Sequence, residues 1–364
     1  MGRSRDLSEV ATAFDAGSLG YRNKIINGGM TIDQRNAGAS VTLGSGGTFT
    51  LDRMRFYSND ASKLSTQQST DVPSGQGFVN SMLITSLAST TPASTDYYFL
   101  EQRLEGYNVY DFNWGTSGAK TVTLSFWVKS SLTGQFGGSV AAGTPTDNSY
   151  PFSYTISSAN TWEKKEITIS GPTSGTGFLT NNGIGLRCRF LNLGSGSSRL
   201  GTAGSWISAD YYGSTGDVNL IGTSGATFYI TGVQLEVGET ATPFEHRPYG
   251  TELVLCQRYY EKSYIYANVP GTGGVPVGFI ASMNNGVVTN TTPGATFKVT
   301  KRTAPTVTIY NGVNGTSGQA YIESNGVSIG VTVQYPAENS FSRLAPSSAK
   351  EDQYLFHYTA SAEL

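Results

Sequence analysis

The chain has 364 residues, enough for two or three domains, with a net charge of −2 and charged side chains held to 14 %. No block of like charges occurs, which excludes the basic patch that nucleic acid or an anionic membrane surface requires. No apolar run is long enough to cross a bilayer, and Met1-Gly2-Arg3-Ser4-Arg5-Asp6 leads into no apolar core, so neither membrane insertion nor a secretory signal is expected.

With 45 Gly and an aromatic share of 12 %, including 21 Tyr, the polar surface must come from Ser, Thr, Asn and Gly. That mixture suits strands joined by tight turns. One short helix is predicted over 6–17, where Leu7, Val10, Ala11 and Phe14 form a single apolar stripe, Asp6 and Glu9 resemble a capping box, and Gly17 is a stop. A helix of two to three turns is unstable alone, so its stripe calls for a partner: a copy of itself, another protein, or its own domain.

From about residue 21 the period changes to two. Residues 121–129 are the clearest strand: Val122, Leu124, Phe126 and Val128 face one way, and Thr123, Ser125, Trp127 and Lys129 the other. Residues 166–170 and 227–237 alternate likewise, and Leu186-Arg187-Cys188-Arg189-Phe190 puts Cys188 on an apolar face as a small buried thiol, with a disulfide to Cys256 left open. One wet face and one buried face imply antiparallel sheets. Asn-Gly steps at Asn27, Asn182, Asn285, Asn311, Asn314 and Asn325 read as hairpin turns. A second helix is predicted over 251–262, with Leu253, Cys256, Gln257 and Tyr260 on one face. Beyond it, 327–335 and 354–358 alternate again, Tyr354, Phe356 and Tyr358 opposing Leu355, His357 and Thr359. The expected fold is therefore all-β: a β-sandwich or jelly roll followed by a second, smaller β-sandwich. The domains are an N-terminal helical segment (1–20), the sandwich or jelly roll (21–247), a helical linker (248–262) and a C-terminal sandwich (263–364).

Catalytic chemistry finds no support. His246 and His357 are the two histidines, and neither stands in a nucleophile–base pattern. No Gly-x-Ser-x-Gly elbow, phosphate-binding loop or metal-ligand spacing is present, so no cofactor and no metal are expected, although a loop-bound calcium stays open. Asp96, Glu101, Glu105, Asp111, Asp210 and Asp217 could supply carboxylates, but sequence alone pairs none of them. The stronger signal is aromatic residues in polar settings: Trp127 on the polar side of its strand, and Trp114, Trp206, Tyr211 and Tyr212 in Gly/Ser/Asp-rich segments. Flat rings beside hydroxyl-rich loops suit sugar binding; packing under loops or at subunit interfaces is the competing role.

Two resemblances follow. Residues 121–129, the Trp-led segment 161–168 and the closing run 228–238 resemble strands of carbohydrate-binding jelly-roll modules across about 50–240. A further set resembles bacteriophage tail-fibre or virion-appendage proteins from about residue 5 to the C-terminus. It comprises 23–35 (Asn23-Lys24-Ile25-Ile26-Asn27-Gly28-Gly29-Met30-Thr31-Ile32-Asp33-Gln34-Arg35), Leu51-Asp52-Arg53, 234–238, 241–248 and 256–260. This resemblance implies a homotrimeric virion protein, assembled in the host cytoplasm. Its N-terminus, through Leu7, Val10, Ala11 and Phe14, would dock on other virion proteins of the neck, tail or head, and its distal part would bind a host surface polysaccharide. A polysaccharide depolymerase spike and a purely architectural decoration protein are the alternatives.

Overall fold

The computed structural model describes residues 21–144, 148–275, 277–284, 292–347 and 352–364. The helix predicted over 6–17 and the Asn285 turn lie outside the described residues. The described residues form two compact units: those within 1–31, 40–50 and 54–247 make the first, and those within 32–39, 51–53 and 248–364 make the second.

In the first unit the strands are Val41–Thr42 (β1), Gly46–Phe49 (β2), Arg55–Ser58 (β3), Leu64–Ser69 (β4), Ser81–Ser86 (β5), Tyr98–Glu105 (β6) and Val122–Ser130 (β7). They continue with Gly134–Ala142 (β8), Ser149–Ile156 (β9), Glu163–Ile169 (β10), Ile184–Asn192 (β11), Leu200–Gly201 (β12), Gly213–Ser214 (β13) and Thr227–Val237 (β14). Twelve of them build two antiparallel sheets, ordered β1-β4-β5-β14-β7-β10 and β2-β3-β6-β11-β8-β9, in a jelly-roll-like arrangement. The inner face of β7 is the expected Val122, Leu124, Phe126 and Val128, all fully buried. Rings from the two sheets meet: Phe126 lies 5.1 Å from Tyr154, and Phe136 5.4 Å from Phe228. The opposite face of β7 is drier than its hydroxyls predict. Thr123 and Ser125 are buried too, and Thr123 donates to the Gly238 carbonyl at 2.8 Å. Edge strand β10 carries charges of both signs, Glu163, Lys164, Lys165 and Glu166, which discourages pairing with another chain.

The segment before β1 is not the hairpin that its Asn-Gly step predicts. Asn27 is fully buried with a left-handed φ of 62°, and Gly28 presses against β14 so closely that a Cβ there would sit 2.1 Å from the Val233 carbonyl oxygen. The backbone of Ile26 exchanges two hydrogen bonds with the buried Gln102 amide, at 2.9 and 2.8 Å. Asn23 reaches the Val233 carbonyl, Glu236 receives Thr242, and Glu245 receives the amides of Tyr21 and Asn23. Within this unit, then, the tail-fibre-like segments 23–31, 234–238 and 241–247 interlock through hydrogen bonds. Their role there is to hold the fold.

The second unit contains a helix, Tyr249–Gln257, and the strands Tyr260–Lys262 (β15), Ile280–Asn284 (β16), Thr292–Thr296 (β17), Thr306–Asn311 (β18), Gln319–Ile322 (β19), Val327–Pro336 (β20), Ser340–Pro346 (β21) and Asp352–Ser361 (β22). The helix stops five residues short of its predicted end, because Tyr260, Glu261 and Lys262 pair instead with β22 as a strand. The eight strands form one curled, branched sheet rather than two separate sheets. The cause is the length of β22, which pairs with β16 and then β15 along one edge and with β19 and then β18 along the other. Tyr354, Phe356, Tyr358 and Ala360 of β22 join Ile309, Ala320, Ile322, Phe341 and Leu344 in the core. Residues on the opposite face of β22 are buried as well: His357 is fully buried, stacks on Tyr264 at 3.7 Å and contacts the Ser263 hydroxyl at 3.1 Å. The Asn325-Gly326 step closes the β19–β20 hairpin as predicted.

An ion cluster knits the two earlier segments into this unit. Arg35 and Arg53 both pair with Glu363, and their guanidinium groups stack on Tyr260 and Tyr259 at 3.7 and 3.6 Å. Asp52 lies fully buried beside Arg35 and accepts the Gln34 amide at 2.7 Å. Burial pushes the Asp52 carboxyl up to about 7 against the lowering effect of Arg35 and that amide. The tail-fibre-like segments 33–35, 51–53 and 256–260 are the ones that meet here.

Candidate functional site

One concave feature of the first unit lies on the outer face of the second sheet. Strand alternation builds it. Tyr57 stands opposite Phe99, Arg55 opposite Glu101, Arg103 opposite Arg187, and Arg189 opposite Glu101, so all seven side chains share one face of β3, β6 and β11. The loops add Tyr97, Asp210 and Tyr212. Together Tyr57, Tyr97, Phe99, Arg103, Arg187, Arg189, Asp210 and Tyr212 enclose a cleft of about 220 Å³.

Its aromatic wall is continuous. Tyr57 and Phe99 are stacked, with centroids 5.6 Å apart and planes 15° from parallel, and Tyr212 lies 4.6 Å from Phe99 and 5.8 Å from Tyr97. Arg189, 1 % exposed, is clamped beneath them. It donates to Asp210 and to the Tyr211 carbonyl, both at 2.7 Å, and its guanidinium sits 4.5 Å from the Tyr212 ring. Tyr212 donates to Asp210 at 3.1 Å, and burial together with that carboxylate pushes its phenol up to about 12, so it remains a donor.

Electrostatics sets this cleft apart. Glu101 is fully buried and accepts from Arg55 at 2.6 Å and Arg103 at 2.8 Å, with Arg189 at 3.9 Å. Burial alone would raise its carboxyl, but the surrounding arginines overcome that and hold it below the usual range. Arg187 is different. Its Nε donates to the Gly143 carbonyl at 3.1 Å, and among the described residues it ion-pairs with no carboxylate. Partial burial and the facing Arg103 push its guanidinium down to about 10. Arg55, Arg103 and Arg189 thus gather around Glu101, and Arg189 also pairs with Asp210, while Arg187 stands beside them outside these ion pairs.

The five aromatic candidates separate. Tyr212 lines the cleft, and Tyr211 contributes its carbonyl to Arg189 while its ring packs against Gly201. Trp114 and Trp206 meet elsewhere, 5.3 Å apart and edge to face, in a cluster with Phe178; Phe112 also flanks Trp114, and Tyr150 flanks Trp206. Their indoles donate to the carbonyls of Lys120 at 2.7 Å and Ser170 at 2.8 Å, as packed tryptophans do. Beside this cluster Trp114 lines a smaller cavity of about 120 Å³ with Phe112, Phe178 and Leu186. Trp127 is half-buried on the other sheet, opposite Lys164 and Thr231. The sequence reading missed Tyr57, Tyr97, Phe99, Arg103, Arg187 and Arg189. The available signal is the paired alternation Glu101-x-Arg103 and Arg187-x-Arg189, the second of which brackets Cys188. Both cysteines are buried and free. His246 packs against Phe78 and Phe244, away from the cleft-lining set.

No family model and no curated protein matches the chain. Among solved structures, the enzymatically active domain of tailspike protein 4 of bacteriophage CBA120 is similar over 60 % of this chain, at 15 % identity and a TM-score of 0.30; the match spans 22 % of that chain. A CBM4 structure is similar over 58 % of this chain and 98 % of its own, at 15 % identity and a TM-score of 0.28. A putative sugar binding protein from Bacteroides thetaiotaomicron is similar over 59 % of this chain and all of its own, at 14 % identity and a TM-score of 0.33.

Proposed function

We propose that this chain is a glycan-binding β protein that holds a sugar in the cleft of the first unit, without cleaving it. The observation that carries the reading is the convergence of Tyr57, Phe99, Tyr97 and Tyr212 on one cleft that is also rich in fixed hydrogen-bonding groups. Aromatic faces take the C–H face of a pyranose, and the arginines and Asp210 meet its hydroxyls. The setting is the one that the tail-fibre resemblance implies: an oligomeric virion appendage that carries the cleft to a host surface.

The cleft carboxylates favour binding over hydrolysis. Glycoside hydrolysis needs one carboxyl raised so that it can protonate the leaving group. Glu101 is held ionised and fully buried, and Asp210 is committed to Arg189 and Tyr212. Burial does raise Asp217, but its oxygens are taken by Ser214, Asn192 and Gln135, and it is not among the cleft-lining residues.

A glycan array together with host-cell adsorption tests the proposal. Wild type is expected to bind a defined set of glycans, and Tyr212→Ala to weaken that binding about tenfold or more, the loss typical of a buried aromatic anchor. Binding by neither protein points to a purely architectural role. Release of reducing ends from a bound polysaccharide points to a depolymerase.

A further inference from the structure

Building on the glycan reading, we infer that the cleft selects an acidic sugar, one whose carboxylate or other anionic substituent is received by the facing pair Arg103 and Arg187. Three observations carry this. First, the two arginines occupy directly opposed positions on adjacent antiparallel strands, where like charges repel. Second, Glu101 is already shared among Arg55, Arg103 and Arg189, and Asp210 is bound to Arg189, so among the described residues Arg187 ion-pairs with no carboxylate. Third, both side chains line the cleft beside the aromatic wall, so an anion held by them brings its sugar ring against that wall. A neutral sugar leaves the Arg103–Arg187 repulsion in place. An anionic one relieves it and gains planar, charge-assisted hydrogen bonds. Rigid clamping of Arg189 beneath the rings keeps this geometry ready before the ligand arrives.

The test is an array on which uronate-, sialate-, pyruvate-, phosphate- and sulfate-bearing glycans are each printed beside their neutral counterpart, probed with the full chain. Titration of the strongest acidic hit and of its neutral counterpart follows. Acidic glycans are expected to bind at least about tenfold more tightly than their neutral forms. Arg187→Gln is expected to remove that preference, Arg187→Lys to retain part of it, and affinity for the acidic ligand to fall as salt rises. Because Arg187 faces a like charge, Arg187→Gln is also expected to melt no lower than wild type, which a merely structural role would not allow. Equal binding of acidic and neutral forms, or an acid preference that survives Arg187→Gln, overturns the inference and leaves the glycan reading standing. Absence of binding to every glycan fails both. Inorganic sulfate and phosphate form the last arm: if either competes at the same concentration as the acidic glycan, the site reads a bare anion and the inference about sugar is wrong.

Discussion

Replacing Glu101 by Gln isolates the electrostatic centre of the cleft. The substitution keeps the shape and one carbonyl oxygen but removes the charge that Arg55, Arg103 and Arg189 share at 2.6, 2.8 and 3.9 Å. Each such contact is worth about 4 kcal/mol at an effective dielectric near 20, before desolvation is subtracted. Breaking a fully buried pair while its partners stay behind typically costs about 3–5 kcal/mol net. For a unit of this size that is a fall of about 6–20 °C in melting midpoint. All four tryptophans, Trp114, Trp127, Trp162 and Trp206, lie in the first unit, so tryptophan fluorescence follows its unfolding selectively. The pH dependence has a defined sign. The folded carboxyl lies below its unfolded value of 4.5, so its contribution is fully present above that pH and is lost as pH falls through the folded value. The gap between wild type and Glu101→Gln should therefore shrink in acid. A variant melting within about 2 °C of wild type at pH 7 would refute this account of the cleft.

Further outcomes follow from other parts of the molecule. Asp52 in the second unit has its carboxyl raised to about 7, so the folded state holds a proton that the unfolded state has released, and stability drops as pH rises through about 7. Asp52→Asn should flatten that dependence between pH 5 and 8, as measured by hydrogen exchange across 249–262 and 352–361; an unchanged slope contradicts the assignment. Gly28→Ala forces a methyl against the Val233 carbonyl and should cost about 1–3 kcal/mol in denaturant unfolding of the first unit. Light scattering of the full chain should give three times its 38.7 kDa, and a clean monomer at micromolar concentration would remove the trimeric appendage from the proposal.

Period-two alternation made the all-β class and the inner face of β7 legible from the sequence, because burial of Val122, Leu124, Phe126 and Val128 depends only on strand geometry. The same logic misjudged Thr123 and Ser125, which looked solvent-facing by polarity but are covered. It also misjudged the Asn27-Gly28 step, whose left-handed backbone serves a close approach to β14 instead of a hairpin. The helix following Pro248 ended early because long-range pairing with β22 outcompeted its local pattern. The cleft was largely hidden: Tyr57, Phe99, Arg103 and Arg187 come from three strands far apart in the chain. Only register brings them together, and register was not readable from single segments. The tryptophans drew notice because they are conspicuous in Gly/Ser-rich surroundings, yet Trp114 and Trp206 spend their indole donors on backbone carbonyls and pack together.

Hydrogen–deuterium exchange of the full chain, with and without the strongest glycan from the array, tests the central claim most directly. Protection concentrated in 97–103, 187–190 and 210–212 is the predicted result, since those segments carry the cleft. Protection confined to the Trp127 face or to the Trp114–Trp206 cluster, with the cleft unchanged, would contradict it.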